Sequence, residues 1–159
     1  MLFHVSIEAD EPRRVAGVLA EVMGGIATPF PPVIDGSWVA HAGDDRNTLV
    51  EVYPRGTELH RADGGVMGLP AHRSRHNPTH FALATALDED AVKALAAREG
   101  WHAETFSRDG LFHVIELWIE GSQMIELLTP EFQAEYLESL SIDRWRAMLS
   151  GHPAMAEAA

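Results

Sequence analysis

Cysteine is absent from the 159 residues, so the chain has no disulfide framework, no thiolate nucleophile and no sulfur ligand for a metal. Any metal must therefore be held by nitrogen and oxygen. Positive charge is scarce: 12 Lys and Arg stand against 24 Asp and Glu, a formal charge of −12. Such a surface repels phosphate backbones and anionic headgroups, which argues against nucleic acid and membranes as partners. No apolar run approaches the ~20 residues that span a bilayer. The first residues carry neither a basic n-region nor an apolar h-region, so a cytoplasmic protein is expected. The polar, highly charged profile of a disordered chain is missing as well, since 46% of residues are hydrophobic and 23% charged.

What is present is a repeat. Residues 2–9 alternate as a strand, with Phe3, Val5 and Ile7 on one face and His4, Ser6 and Glu8 on the other. Asp10 is placed to cap a helix that Pro12 opens, and Val15, Val18, Leu19 and Val22 give that helix one apolar side. Gly24-Gly25 stops it, and extended stretches follow near 26–34, 37–42 and 48–53. The second half runs the same way. A strand is expected over 79–87 and a helix capped by Asp88, facing inward through Ala91, Val92 and Leu95 and ending at Gly100. Strands at 101–107, 111–119 and 122–128 complete it. Laying His4 on His80 also lays Gly24 on Gly100, both 76 positions on, while Glu51 falls on Glu126.

The repeat singles out four residues. His4 and Glu51 are 47 positions apart, and His80 and Glu126 are 46 apart, each pair on an opening and a closing strand. His80 shares its face with Ala82 and Ala84, small neighbours that leave room around a large polar group. Glu51 sits with Leu49 and Tyr53, and Glu126 with Met124 and Leu128. A carboxylate in such company is costly unless it is paired, protonated or bound to a cation. Two imidazoles and two carboxylates are a competent set for a divalent ion such as Zn, Ni, Mn, Co or Fe.

This pattern resembles the vicinal oxygen chelate superfamily of glyoxalase I, extradiol dioxygenases, fosfomycin-resistance proteins, methylmalonyl-CoA epimerase and bleomycin-binding proteins. The likeness rests on FHV at His4, VEV at Glu51, THF at His80 and IEL at Glu126, and covers about residues 2–129. It implies an α+β fold of two tandem βαβββ modules that form a half-open barrel, to which this chain adds a C-terminal helix opened by Pro130. The expected division is a first module over 1–54, an inter-module linker over 55–78, a second module over 79–129 and a helical extension over 130–159, all in one structural domain. The helix should present Phe132, Tyr136, Leu137 and Leu140 on one side.

The resemblance further implies a metal held by His4, Glu51, His80 and Glu126, with Glu126 or Glu51 moving a proton. The activity it implies is that of a metal-dependent lyase or isomerase of the glyoxalase type, which polarises the vicinal oxygens of a small carbonyl substrate to form an enediolate. Two alternatives stand beside it. One is an Fe(II)-dependent extradiol-type dioxygenase. The other is a metal-free protein that binds a drug-like small molecule through Tyr53 and Trp38 or Trp118. Arg55, Arg61, Arg73 and Arg75 gather in the otherwise acidic chain, where they could receive an anionic group of the substrate. A homodimer is expected.

Overall fold

The computed structural model describes residues 4–30, 33–62, 65–72, 79–139 and 144. The first module runs β1 (His4–Ala9), α1 (Pro12–Met23), β2 (Ile26–Pro29), β3 (Trp38–His41) and β4 (Leu49–Pro54). A hairpin of β5 (Thr57–Ala62) and β6 (Gly65–Pro70) follows. The second module is β7 (Ala82–Ala84), α2 (Glu89–Glu99), β8 (His102–Arg108), β9 (Phe112–Ile119) and β10 (Gln123–Leu128), and α3 (Pro130–Ser139) comes last.

The two modules form four-stranded sheets of the same order, β1-β4-β3-β2 and β7-β10-β9-β8. In each, the opening strand lies parallel to the closing one, and the other neighbours are antiparallel. Neither sheet closes on itself, so the barrel is half open. The duplication read from the sequence extends to backbone detail: Gly24 and Gly100 end their helices in the left-handed conformation, both at φ 73°. Gly25 is required for another reason. A Cβ there would sit 1.8 Å from the His41 carbonyl oxygen, so β3 could not approach the end of α1 past any side chain.

The helices cover one face of each sheet. Val15, Val18, Leu19 and Val22 of α1 are buried against Ile7, Ala40, Val50 and Val52, and the cluster continues through Val92, Leu95, Leu117, Ile125 and Leu127 of the second module. One core therefore spans both halves. At the seam, Thr85 Oγ1 donates to the Val22 carbonyl at 2.7 Å.

Several expectations need correction. Asp10 does not cap α1; Glu11 takes that position without a side-chain bond. The Asp10 carboxylate instead accepts from Arg55 Nε at 2.9 Å, a charged partner that outcompetes a lone backbone N–H. Asp88 caps α2 as expected, accepting from Ala91 N at 2.8 Å. The strand expected over 79–87 is three residues long, and ahead of it the Thr79 carbonyl accepts from the Gln123 side chain at 2.6 Å. Residues 57–62 and 65–70, read as linker, pair as a hairpin that begins at Gly56 with φ 82°. In α3, Phe132 is buried and Tyr136 meets Phe112 edge-on at 5.1 Å between centroids. Leu137 points away and is 78% exposed. A residue five positions from Phe132 lies well around the helix, whereas Tyr136, four away, shares its face. Leu140 lies outside the described residues.

Candidate functional site

The faces turned away from the helices form the open cup, and strand register decides which side chains share it. In the first module Ser6, Glu51, Val39 and Thr28 make one row across four strands. The equivalent row of the second module is Ala82, Glu126, Glu116 and Glu104. His4 precedes Ser6 by two residues, and His80 precedes Ala82 by two. Each histidine thus stands two residues ahead of its glutamate's strand partner, His4 inside β1 and His80 before β7 begins. Both histidines are exposed, while both glutamates are half-buried.

The two glutamates are satisfied differently. Glu51 Oε2 accepts from Ser6 Oγ at 2.8 Å and from the Tyr53 hydroxyl at 2.7 Å. Burial first, and then the hydrogen bond to Glu51, pushes the Tyr53 phenol up to about 12, since both disfavour phenolate beside a carboxylate. Glu126 Oε1 accepts from Arg108 Nη2 at 2.6 Å, and the same nitrogen donates to Glu116 Oε1 at 2.7 Å. The second Glu116 oxygen receives Trp118 Nε1 at 3.3 Å. Glu126 and then Glu116 raise the Arg108 pKa above its ordinary value.

These commitments bear on a divalent ion. Among the described residues, no three of His, Asp and Glu come together where one ion could bridge them. One of the two Glu126 oxygens, Oε1, is occupied by a guanidinium. As arranged here, His4, Glu51, His80 and Glu126 do not fit a metal centre.

Other sequence-selected residues fall in different places. Trp38 lies on the helix side, with the Arg13 guanidinium 5.3 Å above its ring, and so does not line the cup. Trp118 stays on the cup face, opposite Met124. Arg55 is buried rather than offered to solvent: it reaches Asp10 at 2.9 Å, Glu120 at 3.1 Å and Glu8 at 3.4 Å. Arg61 is on β5, where its backbone pairs with Val66. Arg73 and Arg75 lie outside the described residues. Sequence reasoning missed Arg108, Glu116 and Glu104. The signal was there in outline, since a tight turn at Glu120-Gly121 sets Glu116 opposite Glu126, but nothing local selects Arg108 as their partner.

Two recesses mark the seam between modules. One of about 240 Å³ is walled by Ser6, Glu8, Tyr53, Thr57 and Gln123 together with the apolar Ile7 and Leu59. The other, about 540 Å³, sets Val5, Met23, Phe81 and Leu83 beside His4, Asp44 and Arg46, and mixes polar with apolar walls.

Two parallel-opening four-stranded sheets, duplicated in order and joined by one core, define the vicinal oxygen chelate fold. Solved structures agree. The chain is similar to glyoxalase I of Leishmania major, at a TM-score of 0.52 and 16% identity over 87% of this chain and 93% of that one. It is similar to lactoylglutathione lyase from Agrobacterium tumefaciens, at 0.52 and 14% over 80% and 91%. It is also similar to the fosfomycin resistance protein FosX from Mesorhizobium loti, at 0.51 and 13% over 84% and 95%. At such identities the likeness is one of fold. By sequence, no protein-family model and no curated protein matches the chain. No helix among the described residues is long and apolar enough to cross a membrane.

Proposed function

We propose that the chain binds a small organic molecule in its cup without a resident metal, recognising it through Glu51, Glu126 and the side chains that hold them. The observation that carries this reading is that both carboxylates already have donors within the chain: hydroxyls on Glu51, a guanidinium on Glu126. Held in fixed directions, they are ready to accept from a ligand's own N–H or O–H groups. The two recesses along the seam, both of mixed lining, give such a ligand room beside Tyr53 in the first and beside Phe81 in the second.

A second reading is favoured by one observation. The matched placement of His4 with Glu51 and of His80 with Glu126 suits the metal-dependent lyase or isomerase, provided that Glu126 leaves Arg108. Nothing in the site favours the iron-dependent dioxygenase.

Metal analysis of protein purified without chelators, followed by a thermal-shift screen of small molecules, separates the readings. Metal-free binding gives no stoichiometric metal and a ligand that raises Tm after dialysis against EDTA. A ligand at a hundred times its Kd should raise Tm by roughly 5–10 °C. A stoichiometric divalent ion that Glu126→Gln removes would establish the second reading instead.

A further inference from the structure

The row Glu126, Glu116, Glu104 sets three carboxylates side by side on adjacent strands, an arrangement that like charges destabilise unless a cation joins them. Arg108 is that cation for the first two. A single nitrogen, Nη2, lies 2.6 Å from Glu126 Oε1 and 2.7 Å from Glu116 Oε1, so these oxygens are no farther than 5.3 Å apart. One divalent ion, with metal–oxygen distances of about 2.1 Å, spans two oxygens up to ~4.2 Å apart. A small movement would therefore let the same oxygens share an ion. The Arg108 side chain is 34% exposed, so ions reach it, and its guanidinium stands 6.0 Å from the Phe106 ring.

The duplication supplies an internal control. In the first module the matching row has one carboxylate, Glu51, beside Val39 and Thr28. Hydroxyls satisfy that carboxylate, and among the described residues no arginine is bonded to it. The guanidinium appears where the second carboxylate appears.

We propose that Arg108 is the resident cation of the second module's cup, and that by bridging Glu116 and Glu126 it excludes divalent metal from a carboxylate pair otherwise able to hold one. This rests on the metal-free reading above.

Titration of Mn²⁺, an ion suited to oxygen ligands, into the full chain tests it by calorimetry and by electron paramagnetic resonance. Arg108→Met should bind one Mn²⁺ roughly tenfold or more tightly than wild type, the scale set by removing one unit charge about 4 Å away near a protein surface. Arg108→Lys, which keeps the charge, should resemble wild type. Adding Glu126→Gln to Arg108→Met should abolish the gain. If the Met variant does not fold, Arg108→Gln, which keeps a hydrogen-bond donor, repeats the measurement.

Equal Mn²⁺ affinity in wild type and in the neutral variant overturns the proposal, as does a gain that survives Glu126→Gln. The two readings fail distinguishably. Weak and equal binding in both proteins defeats the role of Arg108 alone. Tight binding by wild type that Glu126→Gln abolishes defeats the metal-free reading as well.

Discussion

At the scale of single residues, the cup is governed by what each half-buried polar group has for a partner. Tyr53 is buried and donates to Glu51, so its phenol should ionise near pH 12. Ultraviolet titration of a Tyr136→Phe variant follows it alone, and a Tyr53 phenol ionising near 10, where an unperturbed tyrosine titrates, would refute the geometry. Glu51→Gln should bring the phenol only part of the way back, because burial is the larger cause. The effect on stability follows in sign. With a folded pKa above the unfolded one, the contribution of the neutral phenol is intact below about pH 10 and is lost as pH rises towards 12. Glu51 and Glu126 were legible in the sequence as carboxylates among apolar neighbours. Their partners were less so: Arg108 is 18 residues from Glu126 and meets it only through the register of β8 on β9.

Among the elements, local signals governed where helices start and stop, and tertiary contacts overrode one of them. Asp88 caps α2 through its own side chain, so Asp88→Ala should cost about 1 kcal/mol in chemical denaturation. A loss below a few tenths would show the cap to be idle. Asp10 read as the same kind of residue, yet its carboxylate serves Arg55. Gly24-Gly25 read correctly as a helix stop, but the sequence could not say that the second glycine makes room for the His41 carbonyl. Gly25→Ala should therefore prevent β3 from docking and leave little folded protein by circular dichroism, whereas wild-type-like unfolding would contradict that close approach.

For the molecule as a whole, Arg55 is the most buried of several polar fastenings between modules, which also include Arg98 with Glu21 and Arg14 with Glu99. It leaves the end of β4 and binds Glu8 on β1, Asp10 before α1, and Glu120 at the tip of the β9–β10 hairpin. Glu120 also accepts from the backbone N–H groups of Asp10 and Glu11, so the tip of the second module is tied to the start of the first helix. Arg55→Met would leave three carboxylates without their cation. It should cost roughly 3–5 kcal/mol by urea denaturation, as expected when one side of a buried ion pair is removed. A change within 1 kcal/mol would show that the modules do not depend on Arg55 to stay joined.

The sequence by itself determined the duplication, the alternation that separates helix-facing from cup-facing side chains, and the places where helices end. These depend on periods of two and 3.6 residues and on glycine and capping residues, all of which act over a few positions. Tertiary structure decided which charges meet. Arg108 with Glu116 and Glu126, and Arg55 with Glu8, Asp10 and Glu120, join residues 8 to 65 positions apart. Such pairs follow from sheet register and from the docking of one module on the other. Two matched His-Glu pairs in the sequence thus became, in space, one carboxylate held by hydroxyls and one held by an arginine.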